Sequence, residues 1–238
     1  MNWKNEFNQS VGVPTNCQLP LPRPRGAVLA GRYCVLEPLE VNKHAALLFD
    51  SLSIDNRGES WTYLPYGPFE DGEAFQEWAR KLISDEDVLL YAILNAKTQR
   101  PVGVAGYLRI NPAHGLIEIG HLHFSTLLRR TPAATEALYL MIRYVFEEIK
   151  YRRCEWKCHW LNEPSRRAAL RLGFKFEGVF RQHQVVKGRN RDTAWFSIID
   201  GEWPPIKTNI EKWLNPLNFD LEGKQIISLR ELSSSRGE

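Results

Sequence analysis

The sequence predicts a single α+β domain. Three observations carry that reading. Helical and strand periodicities follow in the order strand, two helices, three strands, helix, strand, helix, two strands. The helical stretches carry apolar residues three and four apart, whereas the strand stretches alternate every second residue. The 238 residues suit one domain with extensions, and 43% hydrophobic with 25% charged residues is ordinary for a chain that buries a sizeable core.

Residues 1–27 are polar and carry Pro14, Pro20, Pro22 and Pro24, which disfavour helix and central strand, so they read as an extended arm. The domain is expected over 28–203. Residues 32–38 form its first strand. Residues 41–52 are helical, with Ala45, Leu48, Phe49 and Leu52 on one face. A turn-rich aromatic loop spans 55–68. A second helix spans 73–83, with Phe75, Trp78, Ala79 and Leu82 facing inward. Strands follow at 88–94, 102–110 and 116–124. Thr131 is an N-cap type and Pro132 suits the first helical position, where a missing N–H costs little. That helix runs to about Lys150. Cys154, Trp156, Cys158 and Trp160 alternate with Arg153, Glu155, Lys157 and His159 as an inward-facing strand set. Asn162 caps the next helix, and Gly173 sits where a left-handed residue ends it. Strands at 174–181 and 193–200 close the domain. Residues 204–238 form an extension with an amphipathic patch (Ile210, Trp213, Leu214) and a polar end of disordered composition.

Charge is unevenly spread. The net charge is +3, yet 129–191 holds fifteen Lys and Arg against six Asp and Glu. That excess of nine suggests an anionic ligand. Cys17, Cys34, Cys154 and Cys158 form no disulfide framework and no paired metal motif. With no apolar leader and no run of about 20 apolar residues, a reducing, cytoplasmic setting without a membrane partner is expected.

The segments EIGHLHF, RRTPAATEAL, YVFEE and LNEPSRRAALRLGFKFEGVFR, taken in this order, resemble the GNAT acyltransferase superfamily. The resemblance is to its ribosomal-protein alanine N-acetyltransferase (Rim-type) branch, over roughly residues 31–203. It implies a mixed, mostly antiparallel central sheet flanked by helices. It also implies an N-acetyltransferase that moves an acetyl group from acetyl-CoA to a primary amine by direct attack in a ternary complex. The acceptor would be a small-molecule amine or a protein N-terminus.

A helix N-terminus offers unpaired N–H groups and a positive dipole end to a phosphate. In the resembled loop, Arg129 matches the first position and Ala134 the last, while Pro132 replaces the usual glycine and removes one donor. Arg130 and the amides of Ala133, Ala134 and Thr135 complete the expected pyrophosphate cradle. Glu136, a negative charge beside it, must point away or pair with an arginine. The resemblance further puts Asn162 on the pantetheine arm and Ser165 near the thioester sulfur, where a hydroxyl can serve as general acid.

An attacking amine must be neutral, so a base is sought among Glu118, His121, His123 and His183. Some relatives carry a carboxylate where this chain has Gln184. Strict alternation puts Glu118 on the strand face opposite His121 and His123. Glu118 is the expected catalytic partner of Ser165, with an ion-paired structural role as its alternative. The resemblance also implies an oxyanion site from backbone N–H groups at a bulge within 120–124, and an acceptor site bordered by Trp61, Tyr63, Tyr66 and the hairpin at 181–191. No metal site is expected, because Cys154 and Cys158 face away from His159. Two rival readings stand beside the enzyme: a non-catalytic acyl-CoA sensor, and a nucleic-acid-binding module using the basic region. The inward Trp156 and Trp160 and the lack of a recognition helix speak against nucleic acid. A homodimer through the arm is left open.

Overall fold

The computed structural model describes residues 3–55 and 57–234. A short hairpin of β1 (Trp3–Lys4) and β2 (Ser10–Val11) begins the arm. The arm then crosses the body, where Leu21 N–H bonds Pro112 O at 3.0 Å and Arg23 pairs with Asp87 at 3.1 Å.

The body is one eight-stranded sheet in the order β3-β4-β5-β6-β7-β8-β10-β9. Its strands are β3 (Leu29–Ala30), β4 (Cys34–Pro38), β5 (Leu89–Asn95), β6 (Pro101–Asn111), β7 (Leu116–Phe124), β8 (Arg153–His159), β9 (Lys175–Val186) and β10 (Arg189–Ile199). All neighbours run antiparallel except β7 and β8, which are parallel. A parallel pair needs a crossover, supplied here by α3 (Pro132–Arg143) and the π-helical turn Tyr144–Glu148 that continues it.

Alternation along the strands sorts two cores. On one face Tyr107, Ile117, Ile119, Cys154, Trp156 and Phe196 pack under α3. On the other, Leu90, Ala92 and Val104 pack under α1 (Ala46–Ser53) and α2 (Gly72–Ile83), with Leu48, Leu52, Trp61 and Phe75. α5 (Trp203–Leu214) and α6 (Leu229–Ser234) extend the first core, to which Trp203, Ile210, Trp213 and Leu229 belong. The sequence's last residues, 235–238, lie outside the described residues.

Two local features depart from a regular sheet. β7 and β8 pair only at Leu116↔Arg153, Ile117↔Cys154 and Glu118↔Glu155, and no further pairs form beyond them. β7 also carries a bulge: Gly106 opposes Gly120 and Val104 opposes His123, so His121 and Leu122 together face Ala105. His121 takes the left-handed conformation, with φ 51°. The bulge resets the parity of the strand. Glu118 and His123 therefore share a face, correcting the strict alternation expected from sequence. Trp160 also departs from expectation. It lies just past the end of β8, is 36% exposed, and stacks with Arg166 rather than packing inward.

Candidate active site

Where β7 and β8 part, a cavity of about 560 Å³ opens between them. Its walls are Glu118 to Leu122 of β7, Trp156 to His159 of β8, and Asn162 and Ser165 of α4 (Glu163–Arg171). Tyr63, Leu64 and Pro65 of the aromatic loop and Gln184, Val185 and Val186 of β9 cover it, with Arg109 and Arg191 at its sides. The tip of the β9–β10 hairpin is tied to the aromatic loop by Lys187 Nζ, which donates to Trp61 O at 2.9 Å.

α4 brings two expected residues together. Asn162 caps it, accepting from Ser165 N–H at 3.2 Å. Glycine at 173, with φ 95°, lets Phe174 N–H reach Ala169 O at 3.0 Å and closes the helix. Ser165 Oγ accepts from Trp156 Nε1 at 3.0 Å. An indole N–H only donates, so the serine's own proton points elsewhere. It reaches the Cys158 thiol, whose acidity burial suppresses and the Ser165 bond partly restores.

Glu118 is buried at 3% exposure but is not isolated. Its Oε2 meets Arg109 Nη1 at 2.8 Å and Lys157 Nζ at 2.8 Å. Lys157 in turn meets Glu155 at 2.8 Å and lies 3.9 Å from the centre of the Trp195 ring. The second oxygen, Oε1, lies 3.6 Å from where a Cβ on Gly120 would sit, and both residues line the cavity.

The histidines are held neutral. Burial, aided by the Arg109 charge, lowers His121 to about 4, and its Nδ1 is 3.0 Å from Tyr66 Oη. Burial and Arg129 lower His123 to about 3, with its Nε2 3.0 Å from Ser60 Oγ. His121 lines the cavity; His123 instead packs against Trp61, with ring centres 3.7 Å apart. His183 lies further along β9, bonded to Thr193 Oγ1 at 3.0 Å, and is not among the cavity-lining residues.

The expected anion cradle lies at the N-terminus of α3, apart from the cavity wall. Thr131 caps the helix, and Ala134 N–H is already bonded to it at 3.3 Å. Thr135 is buried and receives Arg171 Nη1 at 3.0 Å. Arg129 donates from Nε to Phe124 O at 2.8 Å and leans on Asp55 at 3.7 Å. Arg130 takes φ 60°, turning the chain into the helix. Among the described residues, the N–H groups of Arg130 and Ala133 have no backbone partner outside the helix. Glu136 does point away: it accepts from Arg32, Tyr33 and Cys34 N–H at 2.8, 2.6 and 2.9 Å.

Sequence reasoning missed Arg109 and Lys157 as cavity residues, and reached Arg191 only as the end of the hairpin at 181–191 expected to border the acceptor site. The alternation of β8 placed Lys157 on the correct face, but only the tertiary fold shows that face to be buried. Among the described residues no group of three or more His, Cys, Asp or Glu is arranged to hold a metal ion, and no helix is long and apolar enough to cross a membrane.

The acetyltransferase (GNAT) domain matches residues 34–175. A crystal structure of a GCN5-related N-acetyltransferase from Brucella melitensis is 46% identical, covers 90% of this chain and 97% of that one, and superposes with a TM-score of 0.88. The uncharacterized N-acetyltransferase p20 of Bacillus licheniformis is 29% identical over 117 residues. That match takes in 48% of this chain and 63% of p20, so the chain spans less than two thirds of this curated relative. The ribosomal L7/L12 alpha-N-protein acetyltransferase RimL, solved in complex with coenzyme A, is 18% identical. It covers 73% of this chain and 99% of its own with a TM-score of 0.63, a likeness of fold.

Proposed function

The chain belongs to the GNAT acetyltransferase family, and from that premise we propose that it moves an acetyl group from acetyl-CoA to a primary amine by direct attack in a ternary complex. One observation carries the reading: the parting of β7 and β8 opens a cavity that collects Glu118, Asn162 and Ser165. The facing backbone groups of 120–122 and 157–159 do not satisfy one another, so the slot suits an extended, amide-bearing arm such as pantetheine. Asn162 borders that arm. The free amides at Arg130 and Ala133 and the dipole of α3 receive its anionic end. Pro132 leaves this cradle with fewer donors than the glycine form of the loop. Arg129 shapes the loop through Phe124 O and adds its charge nearby.

Catalysis is mostly positioning. Ser165, its oxygen held by Trp156, turns its proton from the Cys158 thiol to the departing sulfur once the thioester is bound. Glu118 has Oε2 anchored by Arg109 and Lys157 and offers Oε1 to the ammonium of the acceptor. The bulge at His121 and Leu122 breaks the ladder and frees amide capacity beside the carbonyl that gains charge.

Titration with acetyl-CoA and with desulfo-CoA, followed by an amine-panel acetylation assay, tests the reading. Saturable binding of both with turnover of at least one amine is expected. Ser165→Ala is expected to lower kcat about a hundredfold while leaving the acetyl-CoA Kd within about twofold, because Ser165 touches only the reacting sulfur in this scheme. Unchanged turnover removes Ser165 as the acid. Binding with no turnover on any amine replaces the enzyme by an acyl-CoA sensor.

A further inference from the structure

We propose that the acceptor is an amino acid–like small molecule, whose carboxylate is received by Arg191 while its amine faces Ser165 and Glu118. The proposal rests on the acetyl-transfer reading above and names the substrate class of the same cavity.

The argument begins with charge. Three cations line the cavity, Arg109, Lys157 and Arg191, against the single carboxylate of Glu118. Two of the cations are matched. Arg109 meets Glu118 at 2.8 Å, and Lys157 lies 2.8 Å from both Glu118 and Glu155. Arg191 is not matched. Among the described residues no carboxylate oxygen comes within salt-bridge distance of it. Its Nη1 donates to the neutral Gln184 Oε1 at 3.0 Å, and its Nε is buried with no partner. A buried guanidinium N–H left unpaired is costly, and the fork of Nε and Nη fits a carboxylate through two parallel bonds.

Position favours the same answer. Cys158 is paired across the ladder with Ala194, and His159 with Thr193, close to Arg191 along β10. Ser165 bonds the Cys158 thiol, and the charge of Arg191 also reaches that thiol, where the two offset part of the effect of burial. The proposed acid and the unmatched cation therefore both act on one side chain and line the same cavity, which a small molecule can span. His159 stays neutral, lowered first by burial and then by Arg191, so it adds no further charge to the wall. A polyamine would place its second cation beside Arg191, whereas an amino acid places its carboxylate there.

Two measurements test the proposal. The first compares acetylation of matched acceptors: glycine, glutamate and 6-aminohexanoate against their amides, and against diamines of equal length. The acids are expected to exceed their neutral or cationic counterparts in kcat/KM by roughly ten- to a hundredfold. Arg191→Gln should erase that preference by raising KM for the acids, with the acetyl-CoA Kd unchanged, and Arg191→Lys should restore part of it. Equal rates for acids and amides, faster diamines, or a loss in Arg191→Gln confined to acetyl-CoA binding would overturn the proposal.

The second measurement needs no turnover, so it separates this inference from the reading beneath it. Wild type and Arg191→Gln are titrated calorimetrically with N-acetylglycine, N-acetylglutamate and N-acetyl-6-aminohexanoate, and with the corresponding amides. Binding of an acid but not its amide, lost in Arg191→Gln, supports the assignment even if no amine is acetylated. Equal binding of acids and amides, or no binding of any acid, overturns it even if acetyl transfer to other amines is found.

Discussion

His121 and His123 contribute directly to this protein's sensitivity to mild acid. Both are lowered chiefly by burial, to about 4 and about 3. A group lowered in the folded state binds fewer protons there than in the unfolded chain, so stability is fully present above the ordinary histidine value of 6.5 and falls as the pH drops toward the folded values. At pH 5 the cost is about 2 kcal/mol for each ring. The check is urea unfolding at pH 7.5 and pH 5 for wild type and for the pair His121→Asn and His123→Gln. Each variant should flatten the pH dependence, whatever it does to absolute stability. An unaltered slope would place the sensitivity elsewhere. Glu118 is the second residue-scale test. Glu118→Gln keeps the volume, and Lys157 keeps Glu155 as a partner. If Oε1 takes the amine proton, kcat should fall about ten- to a hundredfold at neutral pH. The loss should shrink as pH rises toward the amine's own pKa, because the acceptor then arrives neutral. A variant profile that merely parallels wild type would leave Glu118 as an ion-pair residue only.

At the scale of elements, Glu136 fastens α3 to the turn that starts β4. Its carboxylate accepts three N–H groups from residues 32–34, and a Cβ on Gly31 would lie 2.4 Å from it. Glu136→Ala is expected to cost about 2–4 kcal/mol, since it leaves one buried and two part-buried donors unpaired. Gly31→Ala should cost a similar amount by expelling the carboxylate. The double variant should then be little worse than Glu136→Ala alone, a non-additivity that denaturant midpoints measure directly; full additivity would contradict the shared contact. This contact also marks the limit of what the sequence discloses. The charge of Glu136 beside a proposed anion site required that it turn away, but its partners lie more than a hundred residues upstream. Period and capping residues located the helices and strands well, as Thr131-Pro132 and Asn162 with Gly173 illustrate. The resemblance implied a bulge within 120–124, but the residues themselves did not fix its place, because a histidine rather than a glycine takes the left-handed position at 121. That single extra residue decides which of Glu118, His121 and His123 share a face. Lys157, flanked by Glu118 and Glu155, was invisible for a related reason: its partners come together only when β7 and β8 pair.

For the whole molecule, ion pairs match only part of the basic excess over residues 129–191. Arg153 pairs with Glu155 and Glu177, Lys157 with Glu118 and Glu155, Arg167 with Glu163, and Lys175 with Glu202. Of the three cations that line the cavity, Arg191 alone has no carboxylate partner among the described residues, which fits a small anionic ligand there. The two ends of the chain are bound to this body very differently. At the C-terminal end, Trp203 Nε1 donates to Glu147 at 2.9 Å, Tyr139 Oη to Glu211 at 2.6 Å, and Tyr33 Oη to Leu214 O at 3.0 Å. Trp203, Ile210, Trp213 and Leu214 are buried in the core beneath α3. Each large side chain so buried contributes about 1.5–3 kcal/mol, so their joint loss rivals the whole stability of a domain. Among the described residues, the hairpin at Trp3–Val11 is mostly exposed and makes no backbone hydrogen bond to the body, which the arm first reaches at Leu21. A chain ending at Glu202 is therefore expected to lose cooperative thermal unfolding. A chain lacking residues 1–16 should keep its midpoint within a few degrees of wild type and retain acetyl-CoA binding. The reverse pattern, a tolerated C-terminal deletion and a damaging N-terminal one, would mean that the arm rather than α5 completes the layer over α3.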